Sequence, residues 1–151
     1  MQDEALDPVS LMVIEHACRR LVAQSAHCVD ASQFNALSNV FSANARLVRP
    51  NGSVLEGREA IIAAYTSRPA DRITRHLVLN TLFHSVHQAS ASATTRILLW
   101  ATRAEVEPGP FGRPVRGPQI VGAFADTFLI EDGVWRIATR HASFEMCTVD
   151  S

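Results

Sequence analysis

Lysine is absent, and all 14 Lys+Arg residues are arginine. A GC-rich coding bias explains that as readily as any function does. Charge of one sign is also missing. The formal net charge is −1, which leaves no electrostatic footprint for nucleic acid or an anionic membrane. Cysteine is scarce and odd in number: Cys18, Cys28 and Cys147 lack metal-ligand spacing. Reduced thiols in a cytoplasmic protein are the expectation. No apolar run approaches the ~20 residues of a membrane span. The opening MQDEALDPVS is too acidic and polar for a secretory signal, and residues 1–7 read as a flexible tail. Internal repeats, low-complexity tracts, phosphate-binding glycine loops and nucleophile elbows are all missing. His84 and His87 stand three apart on a predicted strand, so they face opposite ways and make a poor metal site.

What is present suits one domain. The 151 residues are 47% hydrophobic, enough for a real core. Pro8 to Asp30 reads as a helix, with Asp7 as its cap and Leu11, Ile14, Cys18, Leu21 and Val22 along one stripe. A second short helix is expected with Phe34, Leu37, Val40 and Phe41 on one face. Asn44 to Val48 reads as a strand, and Pro50-Asn51-Gly52 as a turn. Gly57 to Tyr65 reads as a third helix. From Ile73 onward the character changes. Ile73–Val86, Ala89–Glu105, Pro118–Ile130 and Val134–Met146 read as long strands, the last two joined by a hairpin at Asp132-Gly133. The proline-rich stretch Glu107–Gly117 is a wide excursion between strands, suited to a lid or rim. Helices followed by antiparallel strands argue for an α+β domain.

Four stretches carry a resemblance: VDASQFNALSNVFSANARLV, LEGREAIIAAY, TRHLVLN and GAFADTFLIEDGVWRI. With the Gly57-Arg58-Glu59-Ala60-Ile61 helix start and the terminal hairpin bearing Gly133 and Trp135, they make the chain similar to the nuclear transport factor 2-like superfamily. Within it the chain resembles the SnoaL-like branch that includes scytalone dehydratase-like enzymes. The likeness runs from about Glu15 to Glu145. It implies a cone-shaped, cystatin-like roll. Three N-terminal helices would pack on a strongly curved, mostly antiparallel sheet around an internal pocket, in a dimer or trimer. It also implies a site: an Asp at the end of the first helix paired with a His on the strand after the third, which match Asp30 and His76. Val29 and Ser25 stand where relatives carry tyrosines, and Phe124 where they carry a polar amide. No histidine in 93–99 matches a second catalytic one. The general-base Asp of ketosteroid isomerases falls near Arg49. The superfamily hosts many chemistries on one scaffold, so the likeness speaks for fold more than for reaction.

The chemistry of the pair is simple. A neutral imidazole accepts a proton near pH 7, and a carboxylate on its other nitrogen fixes the tautomer and stabilises the imidazolium. Asp30 and His76 are 46 positions apart, so only the fold can join them. The alternative is that Asp30 ends a helix and His76 makes a structural hydrogen bond. Strand alternation puts Val78 and Asn80 on the face of His76, where the Asn80 amide would orient a carbonyl or hydroxyl or else satisfy nearby backbone. Phe124, Asp126 and Phe128 share another face, and Asp126 is a second carboxylate candidate, at a position where the resemblance implies an acidic residue. Arg140 matches a pocket arginine of the related dehydrochlorinase, where a cation would meet a developing anion, and an ion pair with Asp126 is its alternative.

Two functions follow. The first is a small-molecule lyase or isomerase, dehydratase-like, working through Asp30 and His76 with Asn80, Arg140 or water meeting the negative charge. Phe34, Phe41, Val78, Leu98, Phe124 and Phe128 would line a pocket for an apolar, aromatic or polycyclic substrate. The second is a non-catalytic ligand-binding or accessory domain of the same fold. A purely structural dimerisation module is a third class. No metal or organic cofactor is expected, because no ligand set has suitable spacing. A homodimer or higher homo-oligomer through the outer sheet face is expected from the apolar residues on both faces of the strands.

Overall fold

The computed structural model describes residues 4–149. Helix α1 spans Pro8–Asp30, and its start is chemically fixed. The Asp7 carboxylate accepts the backbone N–H groups of Val9 and Ser10, both at 3.0 Å, and Pro8 occupies the first turn, where no N–H is needed. Leu6 packs against the core. Residues 6 and 7 of the expected tail therefore belong to the folded body, while 1–3 lie outside the described residues. Ile14, Cys18, Leu21, Val22, Ser25 and Val29 form the buried stripe of α1 at helical spacing. Among the described residues no helix is long and apolar enough to cross a membrane.

The second helix is shorter than its pattern suggests. A single 3-10 segment covers Phe34–Asn39, and Val40 and Phe41 leave the helical path. The Ile137 N–H bonds the Val40 carbonyl, and Phe41 opens strand β1, Phe41–Val48. Sheet hydrogen bonding takes these two residues, and both remain buried as the helical reading expected. After the turn at Pro50-Asn51-Gly52, a short strand β2, Val54–Glu56, folds back on β1. The sequence pattern gives no sign of it. Gly57, at φ +90°, leads into helix α2, Arg58–Thr66. Arg58 explains why that helix start has its motif. Its guanidinium donates to the carbonyls of Ser38 and Phe41 and lies 3.8 Å from Glu131, tying three segments together.

Four long strands follow: β3 Arg72–Val86, β4 Ser90–Arg103, β5 Ile120–Glu131 and β6 Val134–Cys147. The sheet order is β2-β1-β6-β5-β4-β3, antiparallel throughout except for the parallel β1–β6 pair. The β5–β6 turn has Asp132 and Gly133 at φ 51° and 78°, the left-handed pair a two-residue hairpin needs. Helix α1 packs against both β3, at one edge of the sheet, and β6, three strands away. Only a curved sheet allows that. Irregular register in β3 and β6 supplies bend and twist. The core lies in the hollow, around Cys18, Leu37, Phe41, Leu47, Ile61, Phe128 and Ile137. The α+β roll and its mostly antiparallel, unclosed sheet agree with the expectation, with two α-helices and one 3-10 segment in place of three helices.

Candidate active site

Asp30 is the last residue of α1, and His76 lies on the concave side of β3. The structure brings them together. The His76 Nδ1 stands 2.6 Å from the Asp30 Oδ1, and the His76 backbone N–H donates to Oδ2 at 2.7 Å. The Thr74 hydroxyl donates to Oδ1 at 2.9 Å. Thr74 precedes His76 by two residues on one strand, so both project to the same face. The Arg68 guanidinium extends this chain, donating to the Thr74 hydroxyl at 3.3 Å and to the Val29 carbonyl at 3.1 Å. Burial pushes the Asp30 carboxyl up, but the His76 ring and backbone N–H and the Thr74 hydroxyl outweigh it and hold the group below its usual value. An ionised Asp30 accepts, so in the neutral imidazole Nδ1 carries the proton and Nε2 keeps its lone pair. Among the described residues no fully buried side-chain nitrogen or oxygen lacks a hydrogen-bond partner. Nε2 bonds no described residue and is not fully buried, and His76 borders an internal space.

That space is a cavity of about 300 Å³. Val29, Leu47, Ile97, Leu99, Phe124 and Ala142 form its apolar walls. Asn51, Tyr65, Thr74, His76 and Ser143 supply further polar groups, and Arg49, Arg68 and Arg72 positive charge. A narrow recess continues inward past His76 and Phe124 to Ser25, Phe41 and Arg140. The site is thus an apolar pocket with one base, hydroxyl donors and a cationic side, arranged for acid–base chemistry or for binding. Among the described residues no three His, Cys, Asp or Glu side chains group closely enough to hold a metal ion.

Several expected site residues lie elsewhere. Asn80 points outward and is exposed. The β3–β4 register shifts between Val78 and Thr81, so β3 carries one extra residue there. Such a bulge reverses the alternation, and Thr81 and Phe83 replace Asn80 and Leu82 on the inner face. Leu98 faces the outer side of β4, while its neighbours Ile97 and Leu99 line the cavity. Val78 borders a second depression beside α1, which Asp30 and His76 themselves also line, together with His27 and Arg75. Phe34 stacks on Tyr65 and lies under Arg68, and Phe128 is core, 2% exposed.

Asp126 and Arg140 are spent on each other. Arg140 Nε and Nη2 donate to the two Asp126 oxygens at 2.7 and 2.8 Å, a bidentate pair. Its remaining nitrogen donates to the Ser25 hydroxyl at 2.9 Å, and Ser25 donates to the Val22 carbonyl. The guanidinium lies 3.9 Å from the Phe124 ring centroid. Both residues are buried, at 2% and 4% exposure, and neither lines the main cavity. The pair braces α1 against β5 and β6.

Sequence reasoning passed over Tyr65, Arg68, Thr74 and Arg72, and placed Arg49 only by comparison. Thr74 had a signal, because period two from His76 reaches it. The arginines had none. Arg49 comes from one segment and Arg68 and Arg72 from another, and only the tertiary fold gathers them.

Known proteins place this architecture. A candidate scytalone dehydratase from Novosphingobium aromaticivorans superposes with a TM-score of 0.78 at 18% identity, over 94% of this chain and 91% of the other. The hexachlorocyclohexane dehydrochlorinase LinA-type3 from Novosphingobium barchaimii superposes at 0.77 with 15% identity, over 94% and 93%. A protein with a cystatin-like fold from Caulobacter vibrioides gives 0.70 at 16% identity, over 88% and 90%. At such identities the likeness speaks for the fold alone. No curated protein matches the sequence. The SnoaL-like domain model matches residues 13–141, most of the chain. The chain therefore belongs to the SnoaL-like domain family.

Proposed function

We propose that this protein is a small-molecule lyase or isomerase in which His76 is the general base and Asp30 its orienting partner. One observation carries the reading. The imidazole is tied at Nδ1 to a carboxylate 2.6 Å away, and its ring borders a cavity with apolar walls. In an elimination, Nε2 takes a proton from carbon beside a carbonyl or leaving group. The C–H electron pair becomes the new double bond, the leaving group departs, and the imidazolium returns its proton to it. In an isomerisation the proton returns to a different carbon. Asp30 stabilises the imidazolium in between. Tyr65 and Ser143 are the hydroxyls on hand for a developing oxyanion, since the Thr74 proton is committed to Asp30. The step itself calls for a base and a polar clamp.

A non-catalytic binding module is favoured by one further observation. The bonds from Thr74 and His76 to Asp30 also staple the end of α1 to β3, a task useful without any chemistry. Proton exchange separates the two readings. The protein is incubated in deuterated buffer with a panel of aryl ketones and β-hydroxy carbonyl compounds, and loss of the C–H signal is followed by NMR. Catalysed exchange is expected for at least one compound. His76→Ala and Asp30→Asn should each slow it by about 10²–10⁴-fold. Unchanged exchange in either variant would sink the mechanism and leave the binding module.

A further inference from the structure

We propose that the cavity selects an organic anion: a carboxylate carried on an apolar body of one or two rings. The inference deepens the acid–base reading, because the cavity is the one His76 borders. It rests on the charges around that space. Arg49 directly follows β1, Arg68 lies just past α2, and Arg72 opens β3. The loop after β1 and the stretch from the end of α2 to the start of β3 thus bring three arginines to the lining of one cavity, and no Asp or Glu is among its lining residues. Asp30 sits behind His76 and is occupied by three donors.

The three arginines differ in how they are engaged. Arg68 is held by Thr74, Val29 and the Phe34 ring. Burial and the neighbouring Arg72 charge lower its pKa, against smaller opposing effects of Asp30 and Tyr65. Like charges therefore press on one another at this mouth. The side chains of Arg49 and Arg72 make no hydrogen bond or ion pair with any described residue, although the surface elsewhere pairs Arg19, Arg46, Arg96 and Arg103 with carboxylates. An unbalanced cluster beside low-dielectric walls raises the local concentration of anions, and a guanidinium fork fits a carboxylate in a bidentate manner. The rest of the cavity fixes the body of the ligand. Leu47, Ile97, Leu99 and Phe124 offer apolar and aromatic surface. A volume of about 300 Å³ corresponds to roughly ten water volumes, room for one or two rings and too little to enclose a larger polycycle.

Binding of three isosteric probes tests this directly: 1-naphthoate, 1-naphthylmethanol and 1-naphthylmethylammonium, titrated calorimetrically at low ionic strength. Naphthoate should bind at least about tenfold more tightly than the alcohol and more tightly still than the ammonium. Salt at about 0.5 M should narrow the gap. The double variant Arg49→Gln, Arg72→Gln should bring naphthoate to within about threefold of the alcohol, since each substitution removes a charge and no internal bond. Thermal melting of that variant confirms that it folds, and the wild-type comparison stands by itself if it does not. Equal binding of the alcohol, tighter binding of the ammonium, a preference unchanged in the folded double variant, or no binding of any probe overturns the proposal. The readout is affinity, so it is independent of turnover. A wild type without the preference would leave the Asp30–His76 chemistry standing.

Discussion

Asp30 closes α1, where the helix dipole presents its negative end and a carboxylate is disfavoured by about 0.3–1 kcal/mol. Three donors reverse that bias and depress its pKa. The sign of the pH effect follows. The unfolded chain, with its carboxyl near 4, binds more protons than the folded one in that range. The stabilisation from Asp30 is therefore complete above pH 4 and drains away as pH falls through the lower folded pKa. Asp30→Asn should lower stability near pH 7 by about 1–3 kcal/mol, because one of the two acceptor oxygens becomes an NH2 group that faces donors. The gap to the wild type should close in acid. Urea unfolding at pH 7 and pH 3 measures both, and a gap that stays constant with pH would show that Asp30 is not held as a buried anion. Asp126 and Arg140 teach a related lesson. Their types and places on β5 and β6 made them site candidates, yet each satisfies the other in the interior. Burial of one charge demands its partner, and that demand uses up the polarity a ligand would need.

Among the elements, β3 shows how one residue redirects a site. Counting by two from His76 correctly reaches Thr74 and Val78, then fails at Asn80 because the bulge adds a residue before Thr81. No glycine or proline marks the bulge, so the pattern of residue types conceals it. The 3-10 segment is a similar case. Its apolar spacing continues as a helix on paper, but Val40 and Phe41 find sheet partners in β6. β5 holds a tighter constraint. A Cβ at Gly122 would lie 2.7 Å from the Ser143 carbonyl oxygen on β6, a paired backbone atom that cannot swing aside. Gly122→Ala should cost about 1–3 kcal/mol, the usual penalty for forcing atoms into a packed interior. Chemical denaturation measures it. Wild-type stability in that variant would mean that β5 and β6 part at this point without cost.

For the whole molecule, the hollow of the roll is filled by helices and core, while the outer face of β3 and β4 is not covered. Leu77, Leu79, Leu82 and Trp100 are 44%, 50%, 63% and 37% exposed there. β3 is also an edge strand, paired only with β4. An apolar edge of this kind is a self-association surface unless it is covered. We propose that a second copy of the chain covers it. Light scattering at micromolar concentration should give twice the chain mass of 16.5 kDa, and Leu79→Glu with Leu82→Glu should return a folded monomer. A wild-type monomer at that concentration counts against the interface.

Local chemistry was enough to read the long elements. A cap at Asp7 and a stripe from Ile14 to Val29 specify α1 whatever else the chain does, and Asp132-Gly133 specifies its hairpin. The motif around Arg58 and the terminal hairpin carried the family, and with it the meeting of a helix end and a strand. Residues 30 and 76 are otherwise too far apart along the chain for any local rule to join them. The tertiary structure decided which polar groups remain available. The β3 bulge turned Asn80 outward, the buried pair withdrew Asp126 and Arg140, and the closing of the roll drew Arg49, Arg68 and Arg72 to one mouth. Each outcome depends on register, burial or convergence among distant segments. Those quantities exist only once the sheet has curved around α1, because they are set by what a side chain meets and not by what it is.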